Sequence, residues 1–144
     1  MEIVGTASKK IENISKENIY NLWTDVDNWS KWNENILDSK LLGVFEEGTF
    51  IKLAIKDAPK SKIKLLKIEK NESFTYLTTF LLARMYTTYE IVDENNYLEL
   101  RASIKIEGLL SFFWKQLVAQ DVADVLEADM DSFLGLVKLQ GQNP

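Results

Sequence analysis

Apolar and polar residues alternate through the middle of the chain, from about residue 36 to residue 107. This period of two is typical of strands that bury one face. Six runs follow it, covering residues 36–45, 49–56, 61–69, 73–81, 84–92 and 97–107. They are separated by the turn sequences Glu47-Gly48, Asp57-Ala58-Pro59, Lys70-Asn71-Glu72 and Asp93-Glu94-Asn95-Asn96, with a weaker break near Ala83-Arg84. Links this short join antiparallel neighbours, so with a first strand over residues 2–13 the pattern predicts a sheet of about seven antiparallel strands.

The C-terminal part changes to a period of 3.6 and predicts one long helix over residues 109–139, which contain no proline. Its apolar side chains form one broad arc, made of Trp114, Val118, Val122, Val125, Leu126, Phe133, Leu136 and Val137. An arc this wide suits a helix held within a curved sheet. Asp129 interrupts the arc. It is either an acid near the helix end that is paired or borders water, which is the commoner case, or a carboxyl group that faces a cavity.

Two short helices are predicted between the first strand and the meander. Ser15 is typical of an N-cap, and the spacing of Ile14 and Ile19 suits a hydrophobic staple, so a helix should begin there and end near Asp27-Asn28. Residues 29–33 (WSKWN) predict a second short helix or turn, with Trp29 and Trp32 on one face. These tryptophans are either a plug in the core or an aromatic wall at the mouth of a cavity. The fold class is therefore α+β, with a curved antiparallel sheet wrapped around a long C-terminal helix.

Alternation also predicts which strand side chains face that helix. They are Ile51, Leu53, Ile55, Ile63, Leu65, Phe74, Tyr76, Thr78, Phe80, Thr87, Tyr89, Ile91, Leu100, Ala102, Ile104 and Ile106. Several of these are Tyr or Thr at positions where a tightly packed core would have Leu or Val. Buried hydroxyl groups need hydrogen-bond partners, so their presence suggests bound water or a ligand.

Composition narrows the possible chemistry. A chain of 144 residues fits one domain, residues 1–144, and its net charge of −5 argues against a nucleic-acid partner. The absence of cysteine and histidine excludes zinc sites, disulfides, thiol nucleophiles and histidine-based catalysis. No metal site or cofactor is predicted. The first ten residues do not resemble a secretory signal and no apolar run approaches the ~20 residues of a membrane span, so the expectation is a soluble, cytoplasmic protein.

Four segments resemble the START-like, helix-grip superfamily, and within it the polyketide cyclase/dehydrase and lipid-transport group. They are IYNLWTDVDNWSKWN at 19–33, GTFIKL at 48–53, KIEKNESFTY at 67–76, and Gly108 before the long helix. Asp25, Trp29, Trp32 and Asn33 match recurrent positions of the family's V-W-x-L-L-x-D-x-x-x-W-x-x-W-N pattern. The resemblance implies a deep cavity between sheet and helix that binds small apolar or amphipathic molecules. Family members often carry His or Arg on the late strands, where this chain has Thr87, Tyr89 and Ala102, which argues against acid–base catalysis.

Three functions follow as hypotheses. The first is non-enzymatic binding of a hydrophobic or amphipathic ligand that is lipid-, polyketide- or quinone-like. The second is a cyclase- or dehydratase-like enzyme that uses Asp129 with Tyr76 or Tyr89. The third is contact of residues 109–114 (LLSFFW) with a bilayer or a protein partner, unless that segment is buried under the sheet edge. The predicted ligand-binding residues are Trp29, Trp32, Ile51, Leu53, Ile63, Leu65, Tyr76, Thr78, Thr87, Tyr89, Leu100, Ala102, Trp114, Val118, Val122 and Asp129, with no catalytic residue assigned and the oligomeric state left open.

Overall fold

Strands and helices follow the order that the periodicities predict. The computed structural model describes residues 1–56 and 60–141. Its strands are β1 Glu2–Ile11, β2 Ile36–Leu41, β3 Phe50–Ile55, β4 Ser61–Glu69, β5 Ser73–Phe80, β6 Ala83–Glu94 and β7 Tyr97–Glu107. Helix α1 Lys16–Trp23 and a 3₁₀ helix Val26–Lys31 lie between β1 and β2. The C-terminal part contains α2 Ser111–Trp114, a π-helix Lys115–Ala119, α3 Gln120–Asp124 and α4 Leu126–Gly141.

The seven strands form one antiparallel sheet in the order β1-β7-β6-β5-β4-β3-β2. Strands β2 to β7 are a simple meander, and β1 joins it by pairing with β7. Helix α1 and the 3₁₀ helix therefore connect one edge of the sheet to the other. The predicted α+β helix-grip fold is confirmed. The predicted turn Asp57-Ala58-Pro59 lies outside the described residues.

The inner face of the sheet has the predicted register. One row of directly opposed residues crosses four strands, from Leu65 through Tyr76 and Thr87 to Ile104. Of the residues predicted to face the helix, Ile55, Tyr76, Thr78 and Phe80 are half-buried and the others are buried. Because side chains alternate between faces, this agreement fixes the inner face of strands β3 to β7.

The weakest predicted break, between β5 and β6, lies at Leu81 and Leu82. Leu82 has φ +55°, and Gly108 packs beside it with φ +117°. A Cβ atom on Gly108 would meet the Leu82 carbonyl oxygen and would lie 2.7 Å from the Cα of Ala83. Only glycine fits there without strain. The end of β7 is thus held against the β5–β6 turn, and the Leu110 amide donates to the Leu82 carbonyl oxygen at 3.0 Å.

The short helices begin as predicted but end earlier. The Ser15 hydroxyl accepts a hydrogen bond from the Asn18 amide at 3.1 Å, which confirms the N-cap. Helix α1 ends at Trp23, not near Asp27-Asn28, because Thr24 leaves the α conformation and the chain enters the 3₁₀ helix. That helix covers Val26–Lys31, so it begins three residues before the predicted range 29–33 and ends two residues before its end. Strand β2 likewise stops at Leu41, before the predicted residue 45.

The C-terminal helix is interrupted, so the prediction of one continuous helix over residues 109–139 is wrong. The π-helix at Lys115–Ala119 is a single turn, called the π-turn below. Val125 separates α3 from α4 with φ −99° and ψ 0°. The π-turn shifts the side chains that follow it around the helix axis. Ala119 is consequently fully buried, whereas Val118 and Val125, which were predicted to face inward, are only half-buried.

Glycine at position 5 accommodates the displaced segment. A Cβ atom on Gly5 would lie 2.7 Å from the Cβ of Ala123, a distance that side chains do not tolerate. Helix α3 therefore packs directly on β1. Helix α4 continues along the core and buries Leu126, Asp129, Met130, Phe133, Leu134 and Val137.

Candidate functional site

Aromatic side chains from five elements meet at the centre of the molecule. Trp23 from α1 stacks on Phe133 from α4 with ring centroids 5.0 Å apart, and it lies 5.2 Å from Tyr89 of β6. Trp32, which follows the 3₁₀ helix, contacts Phe133 edge-on at 5.3 Å. Edge-on and stacked contacts of this kind stabilise aromatic cores. We call these rings, together with Trp29, Phe74 and Tyr76, the aromatic cluster.

The two tryptophans of the WSKWN segment differ in one respect. Both are buried, with 2% of Trp29 and 5% of Trp32 exposed. The Trp29 indole nitrogen donates to the Trp23 carbonyl oxygen at 2.8 Å. The indole nitrogen of Trp32 is buried without a hydrogen-bond partner within the described residues. Trp29 is therefore satisfied as a core residue, whereas Trp32 retains an unused donor.

Other polar atoms in this region are also unpaired. The Thr87 hydroxyl, the Trp23 indole nitrogen and the Tyr20 hydroxyl are buried and have no hydrogen-bond partner among the residues that the structure describes. Buried polar atoms in folded proteins nearly always have a protein or water partner. A group of them beside the aromatic cluster indicates that water or a ligand supplies the missing hydrogen bonds.

Asp129 lies in α4, one helical turn before Phe133, and only 7% of it is exposed. Burial raises the pKa of its carboxyl group from 3.8 to about 7, and the negative charge of Glu34 adds to the increase. No described residue forms an ion pair or a side-chain hydrogen bond with this carboxyl group. Within the described residues Asp129 is thus not a paired acid, so that part of the first interpretation is wrong. Its oxygens are not among the fully enclosed unpaired atoms, and that it borders water or a cavity stays a prediction.

Two phenols lie close to this acid. Burial raises the pKa of Tyr89 well above its ordinary value, with further contributions from Tyr76 and from the charge of Asp129. Burial also raises the pKa of Tyr76, although the nearby hydroxyls of Thr87 and Tyr89 act in the opposite direction. Among the described residues, the Thr87 hydroxyl itself makes no hydrogen bond of good geometry. Both phenols thus stay protonated near neutral pH and act as hydrogen-bond donors.

The predicted ligand-binding residues occupy three kinds of position. Trp29, Trp32, Ile51, Leu53, Ile63, Leu65, Tyr89, Leu100 and Ala102 belong to one continuous buried core, with Thr87 and Asp129 buried as its polar members. Tyr76, Trp114 and Val122 are half-buried and pack against that core. Thr78 and Val118 are half-buried. Sequence reasoning did not assign Trp23, Phe74 or Phe133 to the site, although Trp23 lies within the family-like segment 19–33.

Two surface hollows lie away from these residues. One, of about 440 Å³, is lined by Asn13, Ile14, Ser15, Asn18, Asn21, Leu22 and Val137. The other, of about 540 Å³, is lined by Thr79, Phe80, Leu82, Ala83, Arg84, Glu107, Gly108 and Leu109. Neither hollow includes a predicted ligand-binding residue. The expected deep cavity between sheet and helix therefore does not coincide with either of them.

The LLSFFW segment is largely exposed. Leu109, Phe112 and Phe113 are 88%, 71% and 52% exposed, so burial under the sheet edge is the wrong interpretation for them. Trp114 is the exception, because it stacks on Phe80 at 4.8 Å and donates to the Leu81 carbonyl oxygen at 2.8 Å. Contact of this segment with a bilayer or a partner stays a prediction.

Over the described ranges, 1–56 and 60–141, no helix is both long and apolar enough to cross a membrane. In the same part of the chain, no group of three or more acidic residues is placed to hold a metal ion.

Comparison with known proteins identifies the fold. No family model matches the sequence, and no curated protein matches it. The structure is similar to that of a START superfamily protein from Mycobacterium smegmatis, with 15% identity, a TM-score of 0.64, and 94% of this chain and 98% of that chain covered. It is also similar to the protein TTHA0849 from Thermus thermophilus (12% identity, TM-score 0.71, 96% and 99% covered). A norcoclaurine synthase mutant from Thalictrum, in complex with a transition-state analogue, gives 12% identity, a TM-score of 0.67, and 96% and 99% coverage. The chain has the START-like fold.

Proposed function

We propose that this protein binds a small apolar or amphipathic molecule, lipid-, polyketide- or quinone-like, between the inner face of the sheet and the C-terminal helices. The observation that carries the proposal is the set of buried, unpaired polar atoms beside the aromatic cluster, above all the Trp32 nitrogen and the Thr87 hydroxyl. Mostly apolar walls with a few convergent polar groups are what small-molecule sites have in common. Similarity to a START superfamily protein supports this choice at the level of the fold.

Binding explains the chemistry of the site better than catalysis does. A cyclase- or dehydratase-like reaction needs two groups that exchange protons with the substrate. Asp129 could be one of them, but burial raises the pKa of the Tyr76 and Tyr89 phenols and makes them weak proton donors, and the sequence has no histidine or cysteine. Thr87, Tyr76 and Tyr89 are suited to orienting a ligand by hydrogen bonds. A cyclase or dehydratase activity that is lost in Asp129→Asn would contradict this assignment.

The interruption of the C-terminal helix is the place where we expect a ligand to enter. The π-turn at Lys115–Ala119 and the break at Val125 bracket a short segment that does not share one continuous ladder of helical hydrogen bonds. Val118 and Val122 within it are half-buried, as is Thr78 on the inner face of β5. Local breaks of this kind are common at functional sites. We infer that a ligand enters as this segment moves away from the sheet.

Tryptophan emission tests the proposal. A bound apolar molecule, for which uncharged oleyl alcohol is a suitable probe, should contact the aromatic cluster and change the emission of the buried indoles. Trp32→Phe should reduce that change, because it removes one of the two indoles of the cluster whose nitrogens are unpaired within the described residues. Trp114→Phe is the matched control. The sequence predicted Trp114 as a ligand contact, but its ring packs on Phe80 and Phe113 and on no ring of the cluster, so its loss should leave most of the response. An equal response in the wild type and Trp32→Phe would place the ligand elsewhere.

A further inference from the structure

Within the described residues no cation lies beside the carboxyl group of Asp129, although only 7% of this residue is exposed. Buried charges in proteins are nearly always paired, because removing an ion from water is costly. Of the two lysines of the neighbouring strand β1, Lys9 is already engaged, since its Nζ lies 2.8 Å from Glu127 and 3.3 Å from Asp131, and Lys10 lies over the ring of Tyr97. Both of these acids are on the solvent side of α4. Nothing in the described part of the chain therefore neutralises Asp129.

The groups around Asp129 make its surroundings more negative. Glu34, in the connection before β2, acts on Asp129 through its charge. Strands β5 and β6 contribute the phenols of Tyr76 and Tyr89, which carry no positive charge in any protonation state. On α4 itself, Glu127 and Asp131 are further acids, and Lys9 faces them. A cation beside Asp129 would be attracted by the carboxylate itself and by Glu34, the charge that acts on it.

The aromatic cluster favours the same kind of ligand. Trp32 lies 6.1 Å from Tyr89 and 5.3 Å from Phe133, and Tyr89 lies 6.4 Å from Tyr76, measured between ring centroids. The faces of such rings attract cations, and the attraction increases where water is excluded. An acid one helical turn from Phe133 and a set of aromatic rings together resemble the sites at which proteins recognise ammonium groups.

We propose that the site selects a compact organic cation, a protonated amine on a small apolar or aromatic body, with the ammonium group at Asp129 and the body against Trp32, Tyr89 and Phe133. This inference rests on the proposed function and names its ligand class. A neutral carbonyl compound could accept a hydrogen bond from the Trp32 nitrogen, but it would gain nothing from Asp129 and Glu34 as charges. The unpaired acid therefore favours the cation.

A matched pair of probes tests this choice. Naphthylmethylammonium and naphthylmethanol have the same aromatic body and differ in the charged group. Calorimetric titrations at about pH 5.5 and about pH 8.5 should show that the amine binds at least about tenfold more tightly at the higher pH, where Asp129 is ionised. The sign follows from a carboxyl pKa of about 7, below which the site is neutral. The alcohol should show no such increase.

Asp129→Asn should abolish both the preference for the amine and its pH dependence, while binding of the alcohol persists. Asp131→Asn is the control on the same helix, because Asp131 is exposed and paired with Lys9, and it should behave like the wild type. If Asp129→Asn does not fold, the pH profiles of the two probes with the wild-type protein still show whether binding prefers the cation. Equal, pH-independent binding of amine and alcohol would overturn the cation proposal and leave the proposed function intact. Failure of both probes to bind would contradict both proposals.

Discussion

Phe133→Ala should lower the free energy of unfolding by about 3–5 kcal/mol, the usual cost of removing a fully buried aromatic ring. Phe133 is completely buried, stacks on Trp23 at 5.0 Å and meets Trp32 edge-on at 5.3 Å. The truncation would leave a cavity bordered by rigid rings, which cannot easily collapse into it. Denaturant unfolding monitored by circular dichroism measures the change.

Leu139→Ala is the control for this substitution. Leu139 lies on the same helix but is 59% exposed, so its truncation should change stability by less than about 0.5 kcal/mol. A loss below about 1 kcal/mol for Phe133→Ala would contradict the central position of α4 in the core.

Asp129→Asn should stabilise the protein at alkaline pH. The carboxyl pKa is about 7 in the folded protein and 3.8 is its ordinary value, so between these pH values the folded state holds a proton that the unfolded state has released. The contribution of protonated Asp129 to the free energy of unfolding is fully present below pH 3.8 and is lost as the pH rises through 7. At about pH 8 the variant should be more stable than the wild type by about 1–2 kcal/mol. This is less than the full pKa difference implies, because a carboxyl group near the surface keeps part of its hydration.

Below about pH 3.8 the two proteins should have nearly equal stability, because the acid is then protonated in both the folded and the unfolded state and the amide resembles it. At about pH 5 the variant should already show part of the gain expected at about pH 8. Thermal unfolding at these pH values is sufficient to measure this. Asp131→Asn should show no comparable gain at about pH 8, since Asp131 is exposed and lies 3.3 Å from Lys9. A destabilised Asp129→Asn at pH 8 would mean that the carboxylate has a stabilising partner after all. A residue that costs stability and is nevertheless present is a common feature of functional sites.

The strands could be predicted because alternation depends on the nearest neighbours in the sequence. The inner row Leu65, Tyr76, Thr87 and Ile104 follows from the period of two and the short turns alone. Ser15 is similar, since an N-cap uses a local hydrogen bond. These features do not depend on how distant elements pack.

The interruption of the C-terminal helix depends on such packing and was therefore missed. No proline or glycine lies between Lys115 and Val125, so the segment is compatible with a continuous helix. The contact that accompanies the break, Ala123 against Gly5, joins residues far apart in the chain.

The same limit applies to the site. Periodicity placed Trp32, Tyr89 and Asp129 on inward faces, but it could not show that their rings meet or that Asp129 has no partner.

The methyl signals of the three methionines test the central claim, ligand binding between sheet and helix, most directly. Met130 follows Asp129 on α4 and is 2% exposed, Met85 pairs with Thr78 across β5 and β6 and is 5% exposed, and Met1 is 71% exposed. Nuclear magnetic resonance of methyl-labelled methionine during titration with oleyl alcohol or naphthylmethylammonium follows one methyl group on the helix, one on the sheet and one at the exposed N-terminal residue. The account predicts that the Met130 and Met85 signals shift together, with saturation, while Met1 stays unchanged. Saturable binding that leaves both buried methionines unmoved would contradict it.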